Sequence, residues 1–201
     1  MIELNNKKIS NEEKLKTLSH IKEVCSQCCA CELHKERTHS VFSDGNPNAK
    51  IMLIGEAPGK NEDMRGVPFV GRAGQLLDKF LEDAGISRKN DIYICNTVKC
   101  RPPENRVPKP EEKNACRVYL DAQISLIRPK IILLCGMTAV QSMMETKLPI
   151  SKIRGEWFEG AFGAKMMPIF HPSYLLRNHS LEEGSPRWLM TEDLKKIAQY
   201  L

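Results

Sequence analysis

Four short apolar runs, each followed by a loop and then a helix signature, constrain this chain more than any other feature of its sequence. They are Lys50 to Ile54, Ile92 to Asn96, Lys130 to Cys135 and Lys165 to Phe170. Runs of about five residues, apolar at successive positions, fit strands covered on both faces. Between them, Leu76, Leu77, Phe80, Leu81 and Ala84 share one face of a helix expected over Ala73 to Ala84, with Gly85 as its stop. Pro110 opens another helix with Glu111 and Glu112 in its first turn, a third follows Gly136, and a last one starts near Pro186. Ahead of the first strand, Ser10 to Glu13 has capping-box spacing and opens a helix ending near Val24. Such alternation predicts the α/β class, with a mostly parallel sheet between layers of helices. In these sheets, chemistry gathers beyond the carboxyl ends of the strands. The loop Gly55 to Asp63, Asn96 and His171 all stand there, after three different strands.

A chain of 201 residues can bury one sizeable core, and a single domain over residues 1–201 is expected. No stretch nears the roughly twenty apolar residues of a membrane span, and Met1 to Asn11 lacks the apolar core of a secretory signal. The expectation is therefore a monomer in the reducing cytoplasm, away from membranes. The net charge of +5 suits a polyanionic partner, although many proteins with no nucleic-acid role share it.

In that compartment eight cysteines do not read as a disulfide framework. Cys28 and Cys31 form a C-x2-C pair, Cys25 and Cys29 are their neighbours, and Cys100 and Cys116 lie far along the chain. Four thiolates hold either a tetrahedral zinc or an iron–sulfur cluster, and the spacing leaves both open. Cys95 and Cys135 each end an apolar run and read as small buried hydrophobes.

GEAPGKNED, residues 55–63, has two glycines and a proline between a strand and a helix, with Glu56, Glu62 and Asp63 close by. It is either a turn carrying solvated acids or a loop whose glycines let backbone approach a ligand. No Gly-Lys-Ser/Thr follows, so it is not a phosphate-cradling P-loop. Phe69 reads by default as core, but its loop setting also suits a ring presented to a planar ligand. Asn96 reads as a cap or a base reader, and His171 as structural or catalytic.

Taken in order, GEAPGKNED, GVPFVGRAGQLLD, NTVKCRPPENR and FHPSYLLRN resemble the successive motifs of the family 4 uracil-DNA glycosylases. The resemblance spans Cys28 to about Asn178. It implies a three-layer α/β/α sandwich around a four-stranded parallel sheet. It also implies a [4Fe-4S] cluster bound by Cys28, Cys31, Cys100 and Cys116, with the cluster-binding segment at about residues 20–40 and Cys25 and Cys29 as spares. The expected partner is uracil-containing DNA. The family's uracil-binding positions fall on Glu56, Ala57, Glu62, Phe69, Asn96 and His171. Of these, Phe69 would stack on the base, Asn96 would read its edge, and Glu62 would exclude thymine. His171 would face the leaving base, and Glu56 would assist with water, which Ala57 cannot do. Leu175, Leu176 and Arg177 would enter the duplex where the base has left, although Leu175 or Leu176 individually reads equally well as part of an amphipathic turn covering the core; Lys99, Arg101 and Arg106 would meet phosphates. Two rival readings are a non-catalytic iron–sulfur module that binds DNA or senses redox state, and a nucleotide-binding zinc protein.

Overall fold

The computed structural model describes residues 9–160 and 163–201. Among these, the four apolar runs form the centre of one sheet: β2 (Ile51–Gly55), β3 (Ile92–Asn96), β4 (Ile131–Cys135) and β6 (Lys165–Ile169). These four are mutually parallel, in the order β3-β2-β4-β6. Two-residue strands, β1 (Asp44–Gly45) and β5 (Phe158–Glu159), pair antiparallel on the outer edges and bring the sheet to six. The expected count of four is corrected by this pair, since two residues carry no periodicity that a sequence pattern can register.

Side chains along each central strand alternate between two apolar layers. Met52, Ile54, Tyr93, Cys95, Ile132 and Leu134 point to one face. There they meet Leu18 of α1 (Asn11–Ser26), Leu120 and Ile124 of α4 (Pro110–Ile127), and Val140 of α5 (Met137–Met143). Ile51, Leu53, Ile92, Ile94, Ile131 and Leu133 point to the other face. Their partners are Leu77, Phe80 and Leu81 of α3 (Arg72–Asp83) and Met190, Leu194 and Ile197 of α8 (Pro186–Ala198). Both faces are thus covered, which is why the strand sequences are continuous apolar runs rather than alternating ones.

The helices start where their caps dictate. Ser10 Oγ accepts from the Glu13 amide at 3.1 Å while the Glu13 carboxylate accepts from the Ser10 amide at 3.0 Å. Helix α1 runs two residues past Val24, so Cys25 belongs to its last turn. Three short helices were not apparent from periodicity: α2 (Lys60–Arg65), α6 (Ile150–Ile153) and α7 (Pro172–Leu175). The first starts within the 55–63 loop and runs past it to Arg65, and the last carries the segment after His171. No helix among the described residues is long and apolar enough to cross a membrane.

Candidate active site and cysteine cavity

Beyond the carboxyl ends of β2, β3 and β6 a cavity of about 340 Å³ opens, lined by Glu56, Ala57, Glu62, Phe69, Asn96 and His171 among others. All six sequence-predicted binding residues therefore meet at one place, from four separate segments of chain. Pro102, Asn105, Arg106 and Ser173 also line it.

Asn96 is the last residue of β3 and is 1% exposed. Its Oδ1 is buried with no hydrogen-bond partner among the described residues. No group of the described residues competes for this acceptor, so it is available to a donor presented by a bound ligand. Gly55, at the end of neighbouring β2, explains how the amide and a ring both fit. A Cβ there would sit 2.4 Å from Asn96 Oδ1 and 2.5 Å from Phe69 Cζ.

Phe69 is buried and has φ +52°, in the left-handed region that side-chain-bearing residues avoid. Its ring centroid lies 5.9 Å from that of His171. Glu62 braces this arrangement. One carboxylate oxygen accepts from the amides of Val70 at 2.9 Å and Gly71 at 2.7 Å, and the other from the Gly59 amide at 3.1 Å. It thereby ties the first motif loop to the second.

His171 Nδ1 accepts from the Ser173 backbone amide at 3.2 Å and lies 2.8 Å from the Ser173 hydroxyl. Because a backbone amide can only donate, the hydrogen of a neutral ring resides on Nε2. Burial pushes the imidazole down to about 4, against an opposing pull from the Glu62 carboxylate. At neutral pH the ring is an uncharged Nε2–H donor. Glu56 Oε2 accepts from the hydroxyl of Thr138, a buried residue at the start of α5. Thr138 was missed by the sequence reading, because nothing in its neighbourhood of the chain marks it; only the return of β4 beside β2 brings it to Glu56.

Two expectations are corrected. Lys99 does not stand at the surface to meet phosphate: it is fully buried, and its ammonium donates to the Asn96 carbonyl at 2.7 Å and to Gln123 Oε1 at 2.6 Å. Leu175 is fully buried against the α3–α8 layer and is not free to enter a duplex. Leu176 is half-buried and Arg177 exposed. Arg101 donates to Asn105 Oδ1 at 2.8 Å, and Arg106 makes a two-pronged pair with the buried Glu112 at 2.6 and 2.8 Å.

A second, smaller cavity has Cys25, Cys28, Cys31, Cys100 and Cys116 in its wall. Cys29 is exposed and takes no part in it. Burial pushes Cys25 up to about 12 and Cys116 up to about 11. Two donors already address the sulfurs: Arg37 Nη1 reaches Cys100 Sγ at 3.2 Å, and the Lys99 amide reaches Cys116 Sγ at 3.3 Å. Among the described residues, no three His, Cys, Asp or Glu side chains close up around a single ion. One hydrogen bond links the two linings: Lys99, which lines the second cavity, donates to the carbonyl of Asn96, which lines the first.

Comparison with known proteins agrees with this geometry. A family model described as the uracil DNA glycosylase superfamily matches residues 42–195. A type-4 uracil-DNA glycosylase of Thermotoga maritima is 46% identical over 182 residues, covering 90% of this chain and 93% of that protein. Proteins of the same description from Sulfurisphaera tokodaii and Archaeoglobus fulgidus are each 40% identical, over 91% and 89% of this chain and 84% and 90% of their own lengths. With the motifs, the sheet and the cavity in agreement, the chain belongs to the uracil DNA glycosylase superfamily, within its type-4 members.

Proposed function

We propose that the protein excises uracil from DNA by hydrolysing the N-glycosidic bond, leaving an abasic site. The observation that carries this reading is the buried, unsatisfied Oδ1 of Asn96 in a cavity walled by an aromatic ring and a neutral histidine. Such a cavity takes one flipped planar base. Asn96 Oδ1 accepts from uracil N3–H while its amide donates to O4. Cytosine presents the reversed pattern and leaves both groups unmet. Phe69 stacks on the base.

The C1′–N1 bond breaks with its electron pair passing to the base, so negative charge develops on the uracil oxygens. The Nε2–H of His171 donates to O2 and stabilises that charge without needing a proton of its own to spare. Water adds to C1′ of the cationic sugar, and the proton it loses neutralises the departing uracil anion, so that uracil and a C1′ hydroxyl result. Glu56, with one oxygen held by Thr138, is positioned to orient that water; Ala57 has no polar group with which to do so. Glu62, holding Val70 and Gly71 in place, sets the wall that faces uracil C5 and excludes a thymine methyl. Leu176 and Arg177 take the role of filling the gap in the duplex.

The cysteine cavity fits a [4Fe-4S] cluster held by Cys28, Cys31, Cys100 and Cys116. Its wall is almost all sulfur and apolar carbon, and two N–H donors already point at ligand sulfurs, as thiolates require. When bound, the cluster supplies a rigid joint between the segment at 25–37 and the loop at 96–116. Cys25 remains a buried thiol beside it.

Uracil release from a labelled oligonucleotide with one deoxyuridine, followed by alkaline cleavage, tests the reading. Scission at uracil and none in cytosine or thymine controls is expected. DNA binding without scission would instead favour a non-catalytic module.

A further inference from the structure

Arg88 lies on the loop entering β3 and does not line the base cavity. Its side chain is nevertheless only 20% exposed, and its guanidinium makes four hydrogen bonds. Nε donates to Asp44 at 2.9 Å and Nη1 to Asp78 at 2.7 Å. Nη1 also donates to the Phe69 carbonyl at 3.0 Å, and Nη2 to the Pro68 carbonyl at 2.6 Å. Two carboxylates from β1 and α3 thus orient a planar fork, and the fork grips two successive carbonyls.

Those carbonyls belong to the turn in which Phe69 takes its left-handed φ of +52°. Backbone of that kind persists only where its surroundings over-determine it. Here α3 closes directly onto it: a Cβ on Gly74 would lie 2.0 Å from the Phe69 carbonyl oxygen. Beyond Phe69, Glu62 holds the next two amides. Released from the carbonyl side, the residue has an extended conformation available, and its ring then leaves the wall beside Gly55.

We infer that Arg88 is a positioning residue for base stacking: anchored on Asp44 and Asp78, it holds the Phe69 turn left-handed and so holds the ring over the base cavity. The inference rests on the proposed stacking of Phe69 against uracil and extends it to a side chain that never meets the base. Lysine cannot substitute, because a single ammonium does not reproduce the planar fork.

Two readouts test it. In uracil release, Arg88→Ala and Arg88→Lys should raise KM about tenfold, within the range for loss of a stacked ring, with kcat within about twofold. Placed in a Phe69→Ala background, the same substitutions should cost less than about twofold in kcat/KM, because the ring they serve is already gone. An unchanged KM, or equal losses in both backgrounds, would overturn the inference. The second readout needs no turnover. Amide hydrogen exchange at Val70 and Gly71 should quicken by about tenfold or more in Arg88→Lys while the β2 and β3 amides keep their rates. Wild-type exchange at those two amides would overturn it even if the protein released no uracil. Absence of release by the wild-type chain itself would count against the glycosylase reading instead.

Discussion

Truncating Asn96 to alanine separates binding chemistry from stability, because the first should fall while the second hardly moves. In the free protein its Oδ1 makes no hydrogen bond to any described residue, so removing the amide breaks no such bond there. Lost packing is the remaining cost, and it is small because the side chain borders an open cavity. The melting temperature of Asn96→Ala should therefore lie close to that of the wild type. With a flipped uracil in place, N3–H and O4 both lose their partner, at roughly 1–3 kcal/mol each. The sum, roughly 2–6 kcal/mol, corresponds to a fall in kcat/KM of about 30-fold to 10⁴-fold. Single-turnover release from a deoxyuridine oligonucleotide, run beside a thermal melt, measures both quantities on one preparation. A loss under about fivefold would mean that Asn96 does not read the base. A melting temperature falling in step with activity would mean that its role is structural.

Substituting His171 by alanine should lower the rate of base release by roughly 10²–10³-fold, as for loss of one oxyanion donor, with DNA affinity nearly unchanged; an equal loss of both would remove the leaving-group role. The depressed imidazole also predicts a pH dependence. An unfolded chain protonates His171 near its ordinary value of 6.5, whereas the folded one does so only near 4, so stability should be full above 6.5 and fall as pH drops from 6.5 towards 4. His171→Gln should flatten that part of a melting-temperature profile; an unaltered slope would refute it. Thr138→Val leaves Glu56 without its donor and should slow release by roughly threefold to tenfold, the worth of one hydrogen bond, at constant DNA affinity. Anaerobically prepared protein should be brown, and serine at Cys28, Cys31, Cys100 or Cys116 should lower its iron content while serine at the exposed Cys29 should not. Full iron in the Cys116→Ser protein would displace that residue from the ligand set.

Much of this protein is determined within short stretches of sequence. Strands of five apolar residues announce a sheet buried on both faces, since only that setting removes every side chain of such a run from water. The Ser10 capping box, the Pro110 start and the amphipathic face of α3 are equally local, and each helix begins within a residue or two of its signal. The motif loops could be assigned to a family because each keeps its own residues together. What local sequence does not carry is the meeting of distant groups. That Asn96 and Phe69 fit side by side depends on Gly55 of the adjacent strand, and the carbonyl of the left-handed Phe69 is held by Arg88, nineteen positions on. Thr138 meets Glu56 across 82 positions, and no spacing rule reaches so far. The same limit explains the two reversed expectations. A lysine among arginines reads as a surface charge, and a leucine after a histidine motif reads as a wedge, until the packing of α4 and β3 encloses Lys99 and that of α3 and α8 encloses Leu175. Periodicity reports which way a residue faces along its own element; burial and hydrogen-bond satisfaction belong to the surface that a second element presents to it, and only the tertiary structure supplies that surface.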